Sequence, residues 1–213
     1  MSEQNRGNRE KIVQAAITLL DECGYEGVSM RDVARLAGIK ASSIYNHFTG
    51  KDQMLDAVVA AFEAALDARG INRPDPVGDE AGLADPPKLL LSIMAAPLAL
   101  LEDEQTVGII RIVTRCQHRH AGIRSFLSKE MFDRPLRRIT DALERLQAHG
   151  CLSGEEGWTV DFLAAELQSV FVAEYYRMSL HGWSDAPDAD RVRQALAAHV
   201  DFFWKAAGKE AGV

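Results

Sequence analysis

At 213 residues with 47% hydrophobic side chains, the chain can bury one large core or two modest ones, and a formal charge of −7 argues against indiscriminate binding to polyanions. Three widely separated cysteines, Cys23, Cys116 and Cys151, do not suggest a disulfide framework. The longest apolar run, Leu89 to Leu101, is too short for a bilayer and holds Ser92 and Pro97, and the polar start MSEQNRGNRE has no apolar signal region. The chain therefore reads as soluble and cytoplasmic, with no membrane partner. Its charge is uneven: residues 1–51 carry seven Lys and Arg against six Asp and Glu, which leaves 17 against 25 of the totals for the rest.

In chain order, residues 1–8 read as disordered, and Arg6, Arg9 and Lys11 lead into a first helix. Ile12, Ala15, Ala16, Leu19, Leu20 and Cys23 form its apolar stripe, with Cys23 as a small buried hydrophobe, and Gly24 ends it. Ser29 and Asp32 have capping-box spacing, flanked by Val28 and Val33 at the positions of a hydrophobic staple. Val33, Leu36 and Ala37 are the expected buried stripe of the short second helix, and Gly38 is its left-handed stop. A third helical pattern covers about Ala41 to Phe48. Ala41, Ile44 and Phe48 share one inward face, whereas Ser42, Ser43 and Asn46 lie opposite, with Tyr45 and His47 at the flanks. Short polar groups on so short a helix suit the edges of bases in a DNA major groove, and Lys40 and Lys51 frame them at phosphate positions. Helix, glycine turn and helix make a helix-turn-helix.

The run from about Arg9 to Leu55 resembles the N-terminal DNA-binding domain of the TetR family of transcriptional regulators. The likeness rests on Ile12, Ala15, Ala16, Leu19, Gly24-Tyr25, Ser29 to Ala34, Ala37-Gly38, Ser43-Ile44-Tyr45, His47-Phe48 and Lys51. It implies an all-α protein: an N-terminal three-helix helix-turn-helix domain plus a C-terminal helical domain for ligand binding and dimerisation. On this reading residues 1–51 are the DNA-binding domain, 52–69 a connecting helix, 70–87 a loop and 88–213 the effector-binding and dimerisation domain. DNA contacts fall to Arg31, Lys40, Ala41, Ser42, Ser43, Tyr45, Asn46, His47 and Lys51. Lys40 departs from the family, which more often has a small capping residue there; the recognition helix would then lack its side-chain cap, and Lys40 would reach a phosphate. The near-neutral head on an acidic body fits a protein that touches DNA at one end, although ordinary scatter of surface charge gives the same pattern.

The connecting helix has Met54, Leu55, Val58, Val59, Phe62 and Leu66 as its inner face, and the Gly- and Pro-rich 70–87 stretch comes after it. Five helical patterns come next, at about 87–102, 105–119, 122–149, 157–181 and 188–206, with no convincing strand. Pro97 should kink the first, and Pro135 should kink or split the third. Gly150 to Gly154 and Trp183 to Pro187 are breaks. Leu163, Leu167, Val170, Phe171 and Met178 form one stripe of the final pair, and Val192, Leu196, Val200 and Phe203 another. Periodicity allows these to be intramolecular core or a dimer interface; the family resemblance favours the homodimer.

The resemblance also implies a pocket for a hydrophobic or aromatic small-molecule effector. Its candidate lining is Met94, Leu98, Ile112, Val113, Cys116, Phe126, Met131, Phe162 and Glu166, with Arg111 and Arg115 as further polar groups. Cys116, His118 and His120 do not read as a metal site, because 118 points away from 116 and 120 on a helix. No catalytic motif, metal or cofactor is expected. The expected function is a homodimeric repressor released from double-stranded operator DNA by an effector. A regulator without a ligand and a protein-interaction module are the alternatives.

Overall fold

The computed structural model describes residues 3–71, 83–153, 158–181 and 188–209. Most of the expected 70–87 loop, the end of the Gly150–Gly154 break and all of Trp183–Pro187 lie outside them. The described helices are α1 (Glu3–Gly27), α2 (Met30–Leu36), α3 (Lys51–Ala68), α4 (Pro86–Ala95), α5 (Glu104–Cys116), α6 (Ala121–Leu127), α7 (Arg134–Ala148), α8 (Val160–Leu180) and α9 (Ala189–Ala207). The fold is all-α, as expected. The chain divides into two compact units, residues 1–70 with 103–124 and residues 71–102 with 125–213.

In the first unit, α1 begins at Glu3 rather than after a disordered stretch, since residues 3–8 hold no proline and are compatible with helix. Its helical run is interrupted at Gly24 (φ 69°, ψ 171°), where the sequence placed its end. Ile12, Ala16, Leu20, Val33, Ile44, Phe48, Met54, Val58 and Phe62 are at most 2% exposed and form this unit's core. Burial of about ten such side chains supplies the main stabilisation, at roughly 1.5–3 kcal/mol each. Two expectations fail here: Leu36 is 51% exposed rather than part of the buried stripe, and Cys23 is exposed. Both sit at the edge of a stripe, where periodicity is least decisive.

Helix α5 packs on α1 and α3. The sequence placed its residues in the 88–213 domain; the division by contacts groups them with the head. The reason is visible in the helix, which buries Val107, Ile109, Ile110, Ile112 and Val113 around much of its circumference. Its one strongly cationic inward group, Arg111, clamps Asp21 of α1 from Nε (2.7 Å) and Nη2, both side chains being 19% exposed. Arg115 donates to the Asp21 carbonyl at 2.9 Å. Gly108 lies at the closest approach: a Cβ there would stand 3.2 Å from Asp21 Oδ2.

The second unit is built from α4, α7, α8 and α9 around Leu90, Ala142, Leu143, Leu146, Ala164, Leu167 and Leu196, all fully buried. Pro97 does change the backbone: α4 stops at Ala95 and a 3-10 segment, Ala96–Glu102, continues the chain. Pro135 splits the third pattern. It sits in the first turn of α7, where its missing N–H costs nothing, and a π-helical turn, Ser128–Asp133, precedes it. Gln168, 6% exposed, ties α8 to that turn by donating to the Phe132 carbonyl at 2.8 Å. Glu130 is buried there beside Arg134 (Oε2 to Nη1 2.7 Å), an ion pair off the hydrogen-bond direction. Among the described residues the extended backbone amounts to one isolated bridge, Leu152 with Gly208.

Candidate nucleic-acid interface

The head's geometry starts at Ser29. Its Oγ accepts the Asp32 N–H (3.2 Å) while Asp32 Oδ2 accepts the Ser29 N–H (3.2 Å), a complete capping box that starts α2. The Ser29 hydroxyl, the backbone N–H and Arg35 hold the Asp32 carboxyl below its ordinary range. Gly38, at φ +69°, takes the left-handed conformation that turns the chain out of α2.

Beyond Gly38 the chain forms less helix than the expected Ala41–Phe48. A single 3-10 turn, Ser43–Asn46, forms, closed by the His47 N–H donating to the Ile44 carbonyl at 3.0 Å. Its cap position falls on Ser42 rather than on Lys40 and carries no side-chain cap, and the Lys40 carbonyl accepts the Ser43 N–H at 2.8 Å. Ile44 and Phe48 fix the turn from inside, but Ala41 is exposed, which corrects its inward placement. Outside lie Arg31, Lys40, Ser42, Tyr45 (56% exposed) and Asn46, with Ser43 and His47 half-buried. Arg9 of α1 stacks over the Phe48 ring, 5.0 Å from its centroid, and so brings a cation beside the turn. The sequence grouped Arg9 only with the basic cluster; its arginine-on-aromatic contact is a long-range fact with no local signal.

Lys51 is turned inward. Its ammonium donates to the Tyr25 carbonyl and lies 4.2 Å from the centre of the Tyr25 ring. The Tyr25 hydroxyl donates to Asp52, and the ring meets His120 edge-on at 5.0 Å. Desolvation first, and the Asp52 carboxylate second, push the Tyr25 phenol up to about 12. Lys51, expected from the sequence at a phosphate, is a structural bolt between the start of α3 and the end of α1.

The expected effector residues fall in both units. Ile112, Val113 and Cys116 belong to the first unit, and Met94, Leu98, Phe126, Met131, Phe162 and Glu166 to the second. Burial pushes the Cys116 thiol up, and Arg111 and Arg115 are engaged with Asp21. Within the second unit Met94 borders a cavity of only about 10 Å³ that Gln168 also lines. Phe162 and Glu166 border a cleft of about 230 Å³ between α8 and α9. The residues expected at a dimer interface are mostly this unit's own core: Leu163, Leu167, Val192, Leu196, Val200 and Phe203 are at most 5% exposed. Val170, Phe171 and Met178 are half-buried. The apolar side chains that α8 and α9 turn outward are Phe162, Tyr176, Leu180 and Phe202, 53–70% exposed. Six of the nine stripe residues are thus packed within the unit, and Val170, Phe171 and Met178 keep partial exposure. Among the described residues no cluster of His, Cys, Asp or Glu could hold a metal ion, and no helix is long and apolar enough to cross a membrane.

A capped short helix, a left-handed glycine turn and an uncapped polar turn standing outward make the first unit a helix-turn-helix head. Residues 12–58 match the family described as bacterial regulatory proteins, tetR family. A curated relative, the HTH-type transcriptional repressor KstR2 of Rhodococcus jostii, is 38% identical over 56 residues, which are 26% of this chain and 28% of that one. The chain thus spans about a third or less of the length of the curated relatives it matches. Among solved structures, a TetR transcriptional regulator from Agrobacterium tumefaciens superposes with a TM-score of 0.69 at 19% identity, over 96% of both chains. SmeT, the repressor of the Stenotrophomonas maltophilia multidrug efflux pump SmeDEF, superposes in its triclosan complex with a TM-score of 0.62 at 22% identity, over 96% of this chain and 93% of that one. Residues 12–58 are a TetR-family domain, and the chain carries the all-α fold of TetR-family regulators.

Proposed function

We propose that the chain is a homodimeric, sequence-specific DNA-binding repressor, released from its operator by a small-molecule effector. The observation that carries the DNA part is the outward turn at Ser42–Asn46, held from inside by Ile44 and Phe48 and matched by the family over residues 12–58. Ser42, Ser43 and Asn46 are assigned to base edges. Arg31, Lys40, Ala41, Tyr45, His47 and Lys51 are assigned to the rim and backbone, and Arg9 joins them. Lys51 can serve both purposes, since an ammonium has three donors and Tyr25 takes one.

Effector release is supported by the fold shared with SmeT in its triclosan complex. For a ligand to release DNA it must bind the non-operator form more tightly by a real free-energy difference. A cytoplasmic location follows from the DNA target. The test is selection of operators from random duplex DNA by the full chain, with and without a metabolite extract. The expected result is a two-fold symmetric site whose retention falls with salt and with extract. Retention of no duplex above background, at low salt, refutes the DNA reading in favour of a protein-interaction module; retention indifferent to every extract favours a regulator without a ligand.

A further inference from the structure

We infer that each half-site of the operator carries a thymine that the head reads through its C5-methyl group, against the Tyr45 ring and the Ala41 methyl. The inference rests on the reading of the Ser42–Asn46 turn as the major-groove element. The Lys40 carbonyl accepts the Ser43 N–H at 2.8 Å, so Ala41 and Ser42 are the two corners of a tight turn, and Ala41 is exposed there. From Ser43 the backbone winds as a 3-10 helix, in which residues three apart lie over one another. Ser42, helical at the cap position, therefore stands with Tyr45 on one edge, and Ser43 with Asn46 on the next. Ile44 and Phe48, at 0% and 1% exposure, hold the turn from within.

The outward surface of this turn is mixed in chemistry. Ser42 offers a hydroxyl, whereas Ala41 offers a methyl and Tyr45, 56% exposed, a ring. A methyl and a ring face gain nothing from phosphate oxygens, and the apolar group that a base pair presents in the major groove is the thymine C5-methyl. That methyl stands at the wall of the groove beside its own strand's backbone. Residues assigned to the rim therefore reach it, while Ser42, Ser43 and Asn46 reach hydrogen-bonding edges further in. The Tyr45 hydroxyl, at the far end of the ring, is left for a phosphate. Cytosine has only a hydrogen at C5 and the purines present N7, so no other base fills the contact.

The operator selected by the full chain is resynthesised with deoxyuridine in place of each thymine in turn, which removes the methyl and keeps every hydrogen-bonding group. At one position the exchange should weaken binding roughly fourfold in one half-site and roughly tenfold or more in both, the effect of withdrawing a methyl from apolar contact. That ratio should hold at low and high salt, because the methyl releases no counterion. Tyr45→Ser and Ala41→Gly, at exposed positions, should each reduce the thymine-to-uracil ratio with an unchanged circular dichroism spectrum. Tyr45→Phe should keep the ratio while weakening every duplex alike. An operator in which no uracil copy loses affinity overturns the inference. So does a ratio that either Tyr45→Ser or Ala41→Gly leaves at the wild-type value, because the methyl then acts through the shape of the duplex. Both results leave the DNA reading standing, whereas retention of no duplex refutes that reading and this inference with it.

Discussion

Tyr25 concentrates the chemistry of the head in one side chain. Its phenol is held neutral by desolvation and by donating to Asp52, and its ring and carbonyl hold Lys51. An acid whose folded pKa is raised stabilises the fold below its unfolded value, about 10 for tyrosine, and loses that contribution as pH rises through the folded value. The head should therefore weaken between about pH 10 and about 12. A pH-difference absorbance titration should show a tyrosine ionising near pH 12, together with loss of helical signal. Tyr25→Phe should remove that late step and lower the melting temperature; an unchanged titration curve excludes the assignment. Lys51→Ala tests the same contacts from the other side. It should lower both the stability of the head and the salt slope of DNA binding, whereas a solely structural Lys51 leaves the slope untouched.

At the scale of the element, α2 and the turn after it show what local sequence can specify. Ser29→Ala should cost about 1 kcal/mol of stability, since a cap N–H loses its acceptor. The Asp32 half of the box adds a pH dependence of known sign. Its carboxyl is held below the ordinary value, so the contribution is present above about pH 4 and is lost as pH falls through the depressed value. Acid titration of the Ser29→Ala variant followed by circular dichroism should show a shallower loss than wild type; an identical acid limb counts against the box. This box, the Gly38 turn and the inward Ile44 and Phe48 were legible because each depends on neighbours within four or five residues. The fate of α5 was not. Its apolar pattern says that it is buried but not against what, and only Asp21, 90 positions earlier, explains its place beside α1. Asp21→Ala should accordingly destabilise the head by about 1–3 kcal/mol, read as a lower denaturant midpoint with an unchanged slope. A midpoint equal to wild type would falsify the view that this clamp seats α5.

For the whole molecule, the proposed function turns on how many heads reach DNA together. A recognition segment of one 3-10 turn offers few base contacts, so useful affinity demands a second head on the same duplex. Helices α8 and α9 spend Leu163, Leu167, Val192, Leu196, Val200 and Phe203 on their own core, and the apolar surface left for a second copy is the outward set. Tyr176 and Leu180, 64% and 69% exposed, lie at the end of α8 away from the cleft that Phe162 and Phe202 border, so changing them leaves that cleft alone. Leu180→Glu and Tyr176→Glu place a charge where apolar contact is needed, at positions already exposed in the single chain. Sedimentation equilibrium should find the double variant monomeric, with wild-type helical content and thermal stability no higher than that of the parent. Its operator affinity should fall at least about tenfold, since the second head no longer binds at high effective concentration. Leu163→Ala makes the contrasting case: it opens a cavity in the core and should cost about 2–5 kcal/mol of stability in the monomer. A double variant that stays dimeric and keeps its operator affinity moves the interface off α8.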